Sequence, residues 1–458
     1  MLLERVVKRQ RVAETPNAHA QQQQSDESLL VQFCNAKLVQ SAGLKDDDLW
    51  MQGGSLVDPQ VRFWERRSAA ADRRFDCRGL LLAPGCIDIM MFGAFGIDFS
   101  SLGEEGAEAA AEAAMQTVCS RLPALGVTAF CPAIRPCAPA TYARLLERLV
   151  QPKPARDACH ARVLGVHLDG PFFCEAHAAE GADGAGRAHL RGSIDRDVAQ
   201  ALRTTFGRAD GLPKNVALMT MAPELPGALQ AIDRLTSSGV IVGIGRTAAT
   251  LAECRGALHS GARLVTNVLS CMPPFHHRDP GPTGLLADRS SADGVQQQQQ
   301  QAAEEATHDG TAGQGDDDVS MGAYGEGLKG GGGHGGGRIF FSMAVSGQHA
   351  SSVNLAHSTH PDGLILLSEG KEAAEALPSC ARRLWECSGA DNPAAALLCC
   401  SAHPAALLGL GGAKGTLAAG ADADLVLLDP HDLRVRACFV GGRLAWADPE
   451  SHGAMWYH

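Results

Sequence analysis

The sequence has no excess of positive charge: 40 Lys and Arg stand against 51 Asp and Glu, a formal net charge of −11. A chain this acidic is repelled by phosphodiester backbones and anionic headgroups, so neither nucleic acid nor a membrane is expected as its main partner. It also lacks any uncharged apolar run of about 18 residues, the length a bilayer-spanning helix needs. The opening MLLERVVKRQ is too short in apolar residues for a secretory signal. Among its 15 cysteines there is no Cys-x-x-Cys pair and no regular framework. That absence argues against a zinc knuckle or a disulfide scaffold, and for reduced thiols in a cytoplasmic setting.

The rest is globular material in quantity. A chain of 458 residues with 45% hydrophobic content can build one large α/β domain and a smaller one. Residues 1–28 are polar and Gln-rich and are expected to be a disordered tail. Residues 287–337, with QQQQQQ, GDDD and GGGGHGGG, have no periodicity and read as a disordered insertion in a βα loop. Between these, apolar runs alternate with helical patterns. GCIDIMM, GVTAFCPAI, RVLGVHLDG, VALMTMAPE, GVIVGIG, ARLVTNVL, RIFFSMAVSG and GLILLSEG read as buried strands. Apolar residues at three- and four-residue spacing in EEGAEAAAEAAMQTVCSRL, LPGALQAIDRLTSSG and TAATLAECRGALHSG predict helices. About eight strands with interposed helices point to a (β/α)8 TIM-like barrel, placed at 86–411. Short β segments at 29–85 and 412–447 predict a small β-sandwich domain formed by both chain ends.

Six motifs stand in order at the predicted strand ends and beyond: LAPGCIDIMMFGAFGIDFS, GVHLDGPFF, TMAPEL, MPPFHHRDPGPTGLL, HPAALLGL and KGTLAAGADADLVLLD. Together they resemble the N-acetylglucosamine-6-phosphate deacetylase family of the amidohydrolase superfamily, in its eukaryotic branch, over most of residues 29–447. The resemblance implies a metal-dependent hydrolase barrel. In the family's reaction N-acetyl-D-glucosamine 6-phosphate gives glucosamine 6-phosphate and acetate, a step of amino-sugar catabolism. It also implies a divalent metal, zinc or iron, held by a glutamate and two histidines, with an aspartate as general base. A homodimer is implied as well.

Carried over position by position, the family's site is altered. Its metal-binding glutamate in HLEGP falls on Asp169, a shorter carboxylate. The histidine of its GHS falls on Arg246, which has no lone pair to give and cannot ligate. The second histidine falls on Asn267, whose carboxamide is a weak zinc ligand. The substrate-facing asparagine becomes Ser270, and Met90 and Phe92 replace an early polar pair. The catalytic aspartate aligns with Glu369, while the aspartate of ADGxH becomes Ser346 and a loop histidine becomes Asp183. A β-rich stretch of the family after the catalytic position has no counterpart in residues 371–400, where a helical-looking segment stands instead. His349 and Arg278 match the family's sugar and phosphate contacts, with His277 beside them.

The alterations lead us to expect a catalytically impaired member whose metal is weak or absent. Other readings stay open on sequence alone. One is an active deacetylase with a rebuilt metal site drawing on His167, His276 or His277. Another is a non-catalytic pseudoenzyme that binds the sugar phosphate or a protein, and a third is a chain mis-joined around 287–337 and 371–400. Arg246 itself has two readings: it pairs with Asp169 or Glu369 in the metal's place, or it points outward from a loosened loop.

Overall fold

A computed structural model describes residues 29–61, 70–152, 159–177, 187–194, 197–207, 212, 215–287, 338–345, 350–368, 376–449 and 456–457. The expected tail at 1–28 and nearly all of the expected insertion lie outside these residues. Ala287, assigned to that insertion from sequence, instead closes the 3-10 segment Gly281–Ala287.

Each of the eight predicted strands forms. They are β1 (Cys86–Met91), β2 (Val127–Ile134), β3 (Val166–Asp169), β4 (Val216–Met221), β5 (Ile241–Ile244), β6 (Leu264–Val265), β7 (Phe340–Ala344) and β8 (Leu364–Leu367). All pair in parallel, each with the next. The two ends of this sheet are joined by side chains: Ser368, just past β8, donates its N–H and its hydroxyl to Asp88 Oδ2 on β1. Asp88 is fully buried, and burial pushes its carboxyl up against the opposing pull of the Ser368 and Met90 hydrogen bonds. The barrel is therefore nearly closed around its whole circumference.

Side-chain alternation explains how apolar runs serve both faces. In β2, Ala129, Cys131 and Ala133 join one hydrophobic cluster inside the barrel. Val127, Phe130 and Ile134 join the cluster shared with the helices. In β8, Ile365 and Leu367 divide from Leu364 and Leu366 in the same way. The helix Ala228–Ser237 buries Ala228, Ala231, Ile232 and Leu235, the three- and four-residue stripe its sequence carries. The next helix runs only over Leu251–His259, four residues later than the apolar pattern begins. Thr250 and Glu253 form a capping box there, and the residues before it are held in the loop that carries Arg246.

The chain ends build a second, largely antiparallel sheet. Its path runs from Arg443–Ala447 through Val435–Val440, Leu425–Leu428, Leu81–Pro84 and Val31–Gln40 to Gly43–Gln52 and Ser55–Leu56. Arg73–Asp76 and Trp456–Tyr457 extend it on a side branch, the latter beyond residue 447. The sheet curls back on itself, because Phe33 and Phe439, three strands apart along the path, bring their rings within 5.1 Å. Phe75 completes this core at 5.4 Å from Phe439. Lys414 Nζ, nearly buried, sits between Asp422 (2.7 Å) and Asp424 (2.6 Å), which fixes the KGTLAAGADAD segment.

Candidate functional site

The carboxyl ends of β3, β5 and β6 converge on one small crevice, the end of a parallel barrel where chemistry is usually sited. Its walls include Met90, Asp169, Thr220, Arg246, Asn267 and Cys271. The space between them has room for about one water molecule.

Strand β3 presents His167 and Asp169 inward, while the intervening Leu168 packs outward. His167 is fully engaged. Its Nδ1 lies 2.8 Å from the Ile89 carbonyl and its Nε2 lies 2.8 Å from Thr220 Oγ1. A carbonyl only accepts, so Nδ1 carries the hydrogen and Nε2 accepts from the Thr220 hydroxyl. Thr220 Oγ1 then accepts from Thr266 Oγ1 at 3.0 Å. Burial holds the His167 imidazole below its ordinary range, hence neutral. With both ring nitrogens committed, His167 is not a spare ligand, which corrects its place among the substitute candidates.

Backbone geometry sets Arg246. Gly245 before it is required, since a Cβ there would fall 2.8 Å from Thr220 Cγ2. Arg246 itself takes φ +49°, a left-handed conformation rare for residues other than glycine. Its carbonyl accepts from Cys174 N–H at 3.0 Å, and the next amide, Thr247 N–H, reaches the Cys271 carbonyl at 3.3 Å. Thr247 and Ala248 also anchor on Glu224 at the end of β4, the Ala248 amide at 2.6 Å and the Thr247 hydroxyl closer still. So held, the side chain turns inward. Arg246 Nε donates to Asp169 Oδ2 at 3.1 Å, Nη1 lies 3.6 Å from Cys271 Sγ, and the guanidinium stands 5.5 Å from the Phe173 ring centre. Its side chain is 15% exposed and that of Asp169 1%, so the outward-pointing reading of Arg246 does not hold.

After β6 the loop is strained in the same way. Asn267, Leu269 and Cys271 all have positive φ, at +49°, +71° and +54°. Asn267 N–H donates to Ser342 Oγ at 3.2 Å, while its Oδ1 is buried with no partner among the described residues. Asp169 Oδ1 is likewise buried and unpartnered there. Ser270 lines the same crevice, its hydroxyl 4.0 Å from Cys271 Sγ.

The structure thus brings Asp169, Arg246, Asn267 and Ser270 together. It places His277 and Arg278 on an exposed segment, with the rings of His276 and His277 4.4 Å apart and Arg278 N–H 3.3 Å from His276 Nδ1. Glu369 and His349 lie outside the described residues, as do Asp183 and Ser346. Sequence reading missed Cys271 and the Thr266–Thr220–His167 chain. Inward alternation on β4 and β6 could have suggested the threonines; nothing local marks the cysteine. Among the described residues, no group of three or more His, Cys, Asp or Glu converges as a metal centre would require. Nor is any helix there long and apolar enough to cross a membrane.

The amidohydrolase family model matches residues 355–445. N-acetylglucosamine-6-phosphate deacetylase of Bos taurus is 32% identical across 92% of this chain and 97% of its own, and that of Homo sapiens is 32% identical across 91% and 96%. The crystal structure of N-acetyl-D-glucosamine-6-phosphate deacetylase from Mycobacterium smegmatis superposes with a TM-score of 0.63 at 23% identity, covering 91% of this chain and 99% of that one. The enzyme of the same name from Pasteurella multocida gives 0.64 at 17% identity, covering 92% and 100%. A barrel of this topology, with whole-length similarity to such relatives, belongs to the N-acetylglucosamine-6-phosphate deacetylase family of the amidohydrolase superfamily.

Proposed function

We propose that this chain is a catalytically impaired member of its family, one that keeps the barrel and part of the amino-sugar-phosphate-binding set but does not hydrolyse the acetamide by the metal-dependent route. The observation that carries this reading is the 3.1 Å pair between Arg246 and Asp169, at two positions where the resemblance expects metal ligands. A divalent ion needs converging electron-pair donors. Here Asp169 Oδ1 and Asn267 Oδ1 have no partner among the described residues, and the crevice they share is lined by a permanent cation that only donates. This donor set does not fit zinc or iron. A guanidinium supplies charge, but it does not lower the pKa of water as a coordinated zinc does. Arg278 supports retained recognition of a phosphorylated amino sugar, by its match to the family's phosphate contact and its exposure to solvent, with His277 exposed beside it. A second reading, an active deacetylase, is favoured by the whole-length similarity to proteins of that name.

Acetate release from N-acetylglucosamine 6-phosphate separates the two. The purified, folded protein is assayed with added Zn²⁺, Fe²⁺ or Co²⁺ and again with chelator. The expected outcome is no release above background under any of these conditions. Release above background, with metal or with chelator, would overturn the proposal.

A further inference from the structure

We infer that Arg246 is a resident substitute for the metal: its guanidinium supplies the positive charge around which the mouth of the barrel is built, and its presence keeps a divalent cation out. The inference rests on the same reading of the site, but it concerns binding and stability rather than turnover.

Three observations carry it. Asp169 is 1% exposed, and a carboxylate so buried needs a compensating cation, which Arg246 Nε provides. The guanidinium is also fixed from other sides, by Cys271 Sγ and the Phe173 face, with Cys174 N–H holding the carbonyl of the same strained residue. Finally, two buried oxygens of the crevice, Asp169 Oδ1 and Asn267 Oδ1, lack partners among the described residues. Buried acceptors are normally satisfied, and these two face a crevice with room for about one water molecule, which Arg246 also lines. Replacing Arg246 by an imidazole would put a third electron-pair donor beside those two oxygens. Of the three, the imidazole and the Asp169 carboxylate are the donors that would hold Zn²⁺ or Co²⁺, with the Asn267 carboxamide a weak third.

Thermal unfolding of the full chain, with Zn²⁺ and with EDTA, tests this. The wild-type midpoint is expected to be unchanged by either. The midpoint of Arg246→His is expected to rise by about 2–4 °C in saturating Zn²⁺ and to fall back with chelator. A zinc-induced rise in the wild type that disappears in Asp169→Asn would overturn the inference, because a metal then shares the site with Arg246. A folded Arg246→His that gains no shift would overturn it too, because Arg246 is then not what excludes the ion. If Arg246→His does not fold, the pair Arg246→Met and Arg246→Met/Asp169→Asn decides. Recovery of a folded midpoint in the double variant supports the charge role, and equal loss in both overturns it. Metal-free acetate release would refute the proposed function and leave this inference standing. Zinc bound at Asp169 in the wild type would refute the inference whatever the turnover.

Discussion

At the scale of single residues, the site is governed by which polar atoms are committed and which are stranded. His167 illustrates commitment. Its ring bridges Ile89 O and Thr220 Oγ1, and Thr266 completes the chain. The direction of donation makes the three side chains unequal. Thr220→Val removes the donor to Nε2 and leaves a buried nitrogen unmade, which costs about 1–3 kcal/mol. Thr266→Val removes only the bond into Thr220 Oγ1, which still donates to His167, and should cost about 1 kcal/mol or less. Urea denaturation of the two variants should show this order. The reverse order would contradict the direction of donation drawn for this chain. Arg246 was legible in the sequence as an anomaly, a cation at the end of an apolar strand where the family has histidine. Its pairing with Asp169 was one of two readings the sequence left open; the backbone that fixes it, with positive φ at Arg246 and a carbonyl contact with Cys174, was not legible.

At the scale of elements, the eight strands were legible because each is a short apolar run ended by Gly, Pro or a polar residue, and a barrel strand buried on both faces needs no alternation. Helix ends were less so: the capping box at Thr250 and Glu253 moves a helix start that the apolar stripe alone sets too early. The loop after β6 gave no local warning of three left-handed residues within five. Leu269 and Cys271 are not the Gly or Asn that usually mark such turns. Barrel closure depends on Asp88 and Ser368, 280 positions apart, a pairing that no local pattern encodes. It holds Ser368, just past β8, against Asp88 of β1.

At the scale of the whole molecule, two histidines in the barrel's fabric tie stability to pH. His403 sits below β8 with Nδ1 2.6 Å from Leu364 O, and burial pushes its imidazole down to about 4. His167 shifts in the same direction for the same reason. An unfolded chain begins to bind protons at these rings near pH 6.5, while the folded chain resists until near pH 4 at His403. The stability they contribute is therefore present above about pH 6.5 and lost on acidification toward about 4, by roughly 3 kcal/mol for His403. His403→Asn keeps a donor to Leu364 O without the titrating ring. Denaturation midpoints measured from pH 7 to 4.5 should fall less steeply in that variant than in the wild type. Parallel slopes would show that His403 does not titrate as its burial implies.

The most direct test of a guanidinium in the metal's place is a crystal structure grown with zinc, with diffraction recorded at the zinc absorption edge. Arg246 Nε is expected within about 3 Å of Asp169 Oδ2, with no anomalous peak in the crevice that Asn267 and Cys271 line. A zinc peak bonded to Asp169, with Arg246 swung away, would contradict it.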